Sequence, residues 1–319
     1  MESGYFMRYV SLDMERGLAI LAMLFINIVT VLSTDLPHIL KHNEPTMLPA
    51  DLIAPLFQFV LGISLVISVT RRKERGEKDV WKHVLKRAGL LIILGFILRA
   101  SLYDFHVLEW GVLQSLGVGL VMGYLFLSLS VLKRAIAAFS ILLGYSLLCL
   151  YLPGFYDSVY DGVHGGLIGA ISYGTVTIFG TVAGELFYER KEKTKKAVVA
   201  GLDLMLLSLV ISSMVPFNRL TVSASYMLFS AGFFFMLTAL FYVFGERMKR
   251  EIKVLSLFGR NSLSLWIAQY LLIYIPLIYL AGGCCFFPFY MGFAATILIL
   301  PVFYIIADIL EWKGIRVPI

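Results

Sequence analysis

Ten stretches of the chain are apolar over about the length of a membrane-crossing helix, and the polar residues gather between them. The stretches run 17–34, 51–70, 86–104, 108–130, 134–152, 165–189, 197–216, 222–245, 254–281 and 285–311. A helix rises about 1.5 Å per residue, so about 20 residues cover the roughly 30 Å of bilayer hydrocarbon. Within each stretch the apolar residues run on instead of alternating, and an open sheet edge has no partner in lipid. The pattern predicts an all-α, polytopic membrane helix bundle of about ten transmembrane helices, one domain over 1–319. Gly119 and Gly123, Gly165 and Gly169, and Gly180 and Gly184 repeat at the spacing that lets helix backbones approach closely. They support one packed bundle, and such faces also suit a homodimer.

Composition sharpens the class. The chain is 59% hydrophobic and 15% charged, with mean hydropathy +0.85, too little polar surface for a soluble globule. Its net charge of +6 raises nucleic acid as a partner, but the basic residues recur on alternate loops between the apolar stretches. That arrangement encodes topology and argues for lipid, not nucleic acid, as the surrounding partner. Of the 27 Lys and Arg residues, 23 fall on one set of loops and three on the other, with Arg260 inside a stretch. The excess predicts a multi-pass protein of the cell membrane with both termini cytoplasmic. It places His38, His42, Asp104, His106, Asp157, Asp161, His164 and Arg219 near the outer face. Basic segments 71–78 and 189–196 then face the cytoplasm, where they also attract anionic headgroups. Cys149, Cys284 and Cys285 are too few for a disulfide framework or a zinc site and read as apolar packing; no metal is expected. The polar start lacks a cleavage site after a short apolar core, so the first stretch reads as a retained signal-anchor.

The candidate chemistry centres on HILKHNEPTMLPADLIAPLFQF, residues 38–59. Two histidines and a carboxylate sit there in a polar loop between membrane-length segments, where an ionisable group needs a reason. A histidine can serve as general base near neutral pH, or as a nucleophile carrying an acyl group, once a partner orients its second ring nitrogen. His42 is the leading candidate, His38 competes for the role, and Asp51 and Asn27 are the candidate orienters. Asp51 also suits a helix start, following Pro49 where a carboxylate favours the dipole. Asp13 and Arg16 are three apart and share a helix face. Arg99, Gln114, Glu185, Asp203, Asn261 and Gln269 are further polar groups in or near the spans.

At these residues the chain resembles the transmembrane acyltransferases of the heparan-α-glucosaminide N-acetyltransferase family. SLDMERGLAILAMLFIN is similar to the family's opening segment, supplying Asp13, Arg16, Gly17 and Asn27. KHNEPTMLPADLIAPLFQFVLGISL is similar to its histidine loop and following helix, supplying His42, Asp51, Pro55, Phe57, Phe59, Gly62 and Ser64. LKRAGLLIILG, GVLQSLG, GLIGAISYGTVTIFGTVAGEL, PFNRLTVSASY and FGRNSLSLWIAQ follow in the family order, so the resemblance spans about 8 to 275. The loop lacks the family's tryptophan after the histidine, and the family's NK pair reads Asn218 and Arg219.

The resemblance implies an enzyme that moves an acetyl group from cytoplasmic acetyl-CoA across the bilayer to an amino or hydroxyl group of a sugar-like acceptor. Its catalytic histidine falls on His42 by the KHNE context. Anionic acetyl-CoA is expected to dock near Arg16, Lys86 or Arg87, with Gln114, Asn261 and Ser262 along its tunnel. Asn27, Asn218 or Arg219 would polarise the thioester carbonyl, a donor to a developing oxyanion being worth roughly 3–4 kcal/mol. Asn218, Arg219 and Tyr226 are the expected acceptor side. A secondary transporter or flippase would share the spans and the buried charges, but it would usually show inverted repeats and broken helices in two matching halves.

Overall fold

The computed structural model describes residues 8–41, 47–102, 109–189 and 194–315. Apart from an isolated bridge between Ser33 and Phe287, regular structure among them is helical. In chain order the helices are α1 Val10–Leu32, α2 Ile53–Glu74, α3 Val80–Ala100, α4 Val112–Phe126, α5 Val131–Tyr151 and the short α6 Phe155–Tyr160. They continue as α7 Gly166–Gly184, α8 Thr194–Ile211, α9 Ala224–Tyr242, α10 Lys253–Arg260, α11 Ser262–Gln269, α12 Ile275–Tyr279 and α13 Phe289–Trp312.

Among the described residues, seven helical segments are long and apolar enough to cross a membrane, against the ten expected. They are α1, Pro49–Glu74, α5, Gly166–Glu189, Ala224–Arg247, Ser262–Tyr279 and α13. The remaining three expected spans are helical but weaker. α4 is only 15 residues long, α3 carries Lys82, Lys86, Arg87 and Arg99, and α8 carries Lys195, Lys196 and Asp203. Expected stretch 254–281 is also broken, because α10 ends at Arg260 and α11 restarts at Ser262 around Asn261.

α1 starts at Val10, seven residues before the apolar stretch that predicts it. The intervening polar residues are tolerated because other side chains meet them. Asp13 pairs with Arg8 and Arg16. Thr238 donates to Glu15 Oε1 at 2.7 Å, and Ser11 Oγ donates to Glu246 Oε1 at 2.9 Å.

Burial places α2 and α7 at the centre: 72% and 78% of their apolar windows are buried, against 17% for α13. The two helices touch backbone to backbone. A Cβ on Gly62 would stand 2.1 Å from the Thr177 carbonyl oxygen, and one on Gly180 would stand 2.1 Å from that of Phe59. α4 packs against both, α3 packs on α4, α8 packs on α9, and α10 lies along the start of α1. Phe59 packs its ring against Phe234 and Phe235 of α9.

The expected apolar packing of Cys284 and Cys285 is corrected here. Both are exposed in the segment between α12 and α13, where Gly282, Gly283 and Pro288 interrupt the helical run.

The α2–α7 contact gives a direct test. Gly180→Leu should lower the thermal midpoint in detergent by well over the 1–3 kcal/mol equivalent of ordinary overpacking, because the obstructing atoms are backbone. Gly144→Leu on α5, where a Cβ meets nothing within 4 Å, should leave it unchanged. Equal midpoints for the two variants would refute the contact.

Candidate functional site

Two polar regions occupy opposite ends of α2. Asp51 stands just before its first residue and Arg71 in its last turn, and 20 residues of helix correspond to about 30 Å, the thickness of bilayer hydrocarbon.

At the Arg71 end is a cavity of about 710 Å³. Seven arginines line it, Arg8, Arg16, Arg71, Arg72, Arg75, Arg87 and Arg260, and Asp13 is the acidic side chain among its lining residues. Arg16 is oriented from two sides: Nη2 donates to Ser64 Oγ at 2.8 Å and Nη1 lies 3.7 Å from Asp13 Oδ1. Glu311 of α13 holds Arg260 at 3.0 Å. Deeper in, the walls become apolar, with Phe57, Leu61, Leu113, Leu116 and Trp266. The Phe57 and Trp266 rings lie 5.4 Å apart. Phe57 is six residues past Asp51, about 9 Å along the chain if helical.

Four of the six residues expected to hold the donor line this cavity: Arg16, Arg87, Asn261 and Ser262. Asn261 is 3% exposed. Its Nδ2 donates to the carbonyls of Leu257 (3.0 Å) and Ala307 (3.4 Å), while Oδ1 is buried with no partner among the described residues. The other two lie elsewhere. Lys86 is exposed on α3, one residue from Arg87 but on a different face. Gln114 is fully buried on α4, where Nε2 donates to the Glu109 carbonyl at 3.1 Å and the side chain fills the space beside Gly95.

A polyanion with a long, amide-bearing arm fits the chemistry of this wall. Guanidinium groups bind phosphate bidentately and keep their charge at any physiological pH. The apolar depth accepts an aliphatic arm, and the buried Asn261 Oδ1 is positioned to accept from an amide N–H. Acetyl-CoA has those features.

At the other end, Asp51 and Arg219 form a buried ion pair, Oδ1 to Nε 3.0 Å, with side-chain exposures of 0% and 9%. Asp51 Oδ2 accepts from the Leu48 amide at 2.9 Å, closing the turn that starts the helix. Tyr226 donates its hydroxyl to the Asp51 carbonyl at 2.6 Å. So Asp51, Arg219 and Tyr226, far apart in the chain, meet at one place. Asn218 serves its own turn, its Oδ1 accepting from the Thr221 amide at 3.1 Å. Asn27 on α1 donates to Gln269 Oε1 on α11 at 3.3 Å, and His38 is exposed just beyond the end of α1. His42 lies outside the described residues, as do Asp104 and His106.

One neighbour of this cluster, His164, is placed near the outer face by the charge bias but carries no expected role in the site. His164 Nδ1 lies 3.5 Å from Arg219 Nη2, and His164 has φ +52°, a left-handed conformation uncommon for a residue with a side chain. The available signal was the flanking Gly162, Gly165 and Gly166, which mark a tight turn able to point a polar group back at the bundle.

Residues 8–212 match the family model described as heparan-alpha-glucosaminide N-acetyltransferase, catalytic. The heparan-alpha-glucosaminide N-acetyltransferase of Mus musculus is 34% identical over 115 residues, 33% of this chain and 17% of that protein. Its counterpart in Homo sapiens is 34% identical over 119 residues, 35% of this chain and 18% of that protein. The aligned stretch therefore spans under a fifth of the length of these relatives. The family match contains α1 through α8, the Asp51 turn and six of the seven arginines of the cavity, and PFNRLTVSASY and FGRNSLSLWIAQ lie beyond it. With the greater part of its residues so matched, this multi-pass membrane chain belongs to the heparan-α-glucosaminide N-acetyltransferase catalytic family.

Proposed function

We propose that the chain takes acetyl groups from acetyl-CoA held in the arginine-lined cavity at the cytoplasmic face and delivers them to an amino or hydroxyl group of a sugar-like acceptor at the outer face. The observation that carries this reading is the cavity itself, cationic at its mouth and apolar at its depth. Its mouth is built from the basic loops that the charge bias assigns to the cytoplasm, and Phe57 in its apolar wall is six residues along the chain from Asp51.

The donor supplies an acetyl group activated as a thioester. In the transfer its C–S bond is exchanged for an amide or ester bond, and the acceptor's proton ends on the thiol. His42 is the residue assigned to hold that proton, or to carry the acetyl group itself between the two faces; His38 is the competing assignment. Arg219 and Tyr226, with Asn218 shaping their turn, form the acceptor side. Arg16 and Arg87 neutralise phosphate, and Asn261 and Ser262 line the arm.

Three outcomes follow from this arrangement. Arg87→Ala and Arg16→Ala should each raise KM for acetyl-CoA about 10-fold or more, as expected for a lost charge-assisted hydrogen bond. With acetyl-pantetheine, which lacks the phosphates, both should match the parent; a parallel loss with the short donor would refute phosphate binding. His42→Ala should abolish CoA release in the presence of amino or hydroxylated sugars, whereas His38→Ala should retain it; the reverse result moves the role to His38. Asp51→Asn should destabilise the protein by about 3–5 kcal/mol in thermal unfolding, because it leaves Arg219 buried without its counter-charge. The double variant Asp51→Asn/Arg219→Met should regain much of the stability. If turnover returns with it, neither Asp51 nor Arg219 takes part in the chemistry or in acceptor binding, and the pair is structural.

A further inference from the structure

Cys284 and Cys285 stand in the segment that joins α12 to α13, and this segment is stitched to the end of α1. The Cys285 amide donates to the Val31 carbonyl at 2.8 Å and the Phe287 amide to that of Leu32 at 3.0 Å. In return the Thr34 amide donates to the Phe287 carbonyl at 2.8 Å, and the Phe289 amide donates to Asp35 Oδ1 at 2.9 Å. The strap thus fixes the point from which the chain leaves α1 toward His38.

The two thiols are adjacent, both exposed, and their sulfurs are 3.1 Å apart. Cys285 has φ +65° and follows Gly282 and Gly283, both also at positive φ. This turn presents neighbouring side chains on one side of the backbone, where extended chain would send them to opposite sides.

We propose that Cys284 and Cys285 form a reversible dithiol–disulfide site, closed by exchange with a small disulfide of the glutathione class and coupled to the strap on α1. In the first step one thiolate attacks the incoming disulfide, forming a mixed disulfide and releasing one small thiol. In the second the neighbouring thiol loses its proton, attacks the mixed disulfide and releases the other small thiol. The incoming disulfide is reduced to two thiols as the two cysteine sulfurs join.

Adjacent Cα atoms are about 3.8 Å apart, below the usual span of about 4.4–6.8 Å across a disulfide. The ring is therefore strained, and an exposed, strained disulfide is a labile one, opened again by ordinary thiols. Closing it must rotate the 284–285 peptide, whose Cys285 amide is the one bound to Val31. The hydrogen bond with Cys284 raises the Cys285 pKa above the ordinary thiol value. Since thiolate is the reacting form, exchange should speed up as pH rises.

The test uses the full chain in lipid nanodiscs, treated with oxidised glutathione, alkylated and digested for mass spectrometry. The peptide holding 284–285 should be lighter by two hydrogens and unalkylated, and dithiothreitol should restore two alkylation sites. Cys284→Ser should instead carry one glutathione on Cys285. Two glutathiones on the parent peptide, disulfide-linked dimers, or two unreacted thiols would each overturn the site. Hydrogen exchange at the Cys285 and Phe287 amides should be faster in the oxidised form. Unchanged protection there would overturn the coupling to α1.

Discussion

α2 can serve both ends of the molecule because it lies against α7 with almost nothing between their backbones. Gly62 and Gly180 remove the side chains that would hold the helices apart, each facing a carbonyl oxygen of the other helix. In lipid, helix association depends on such close packing more than on the hydrophobic effect, since the surroundings are as apolar as the side chains. This contact fixes α2 as a central post. One of its faces then walls the arginine cavity, while its first turn carries the buried Asp51.

The two ends differ in how they handle charge. At the Arg71 end, guanidinium groups crowd around one open space, and the clustering makes the mouth attractive to a polyanion. At the Asp51 end, a single guanidinium is buried and matched by a single carboxylate, with Tyr226 on the adjoining carbonyl. A buried pair like this is weak evidence for stability by itself, because desolvation opposes the attraction. Its consequence is positional, since it ties the start of α2 to the turn before α9 and places Arg219 beside His164.

The arginine-lined cavity is assembled from chain segments inside the family match and beyond its end. Arg16, Ser64 and Arg87 come from within it, and Arg260, Asn261 and Trp266 from beyond it. The break at Asn261 makes that possible. An uninterrupted helix would satisfy its own backbone and turn its side chains evenly around the axis, whereas the interruption directs Gly259 through Ser264 toward the cavity. α13 joins the arrangement through Glu311 on Arg260 and the Ala307 carbonyl on Asn261.

The apolar runs, the spacing of basic loops and the ordered motifs determined the all-α membrane class, the family and two of the cavity's seven arginines, Arg16 and Arg87. These are properties of composition and period, set locally along the chain. The count of spans was less legible, because α3, α4 and α8 carry charges or are short, and whether such segments are held in a bundle depends on their neighbours. The start of α1 was misjudged for the same reason: Ser11 and Glu15 find their partners on helices more than two hundred residues away. Only the tertiary structure could separate Arg87 from Lys86, which are adjacent in sequence and point to different surroundings. Only it could pair Asp51 with Arg219 and bring His164 beside them, because a buried charge takes its meaning from the residue that neutralises it, and packing of distant helices chooses that residue.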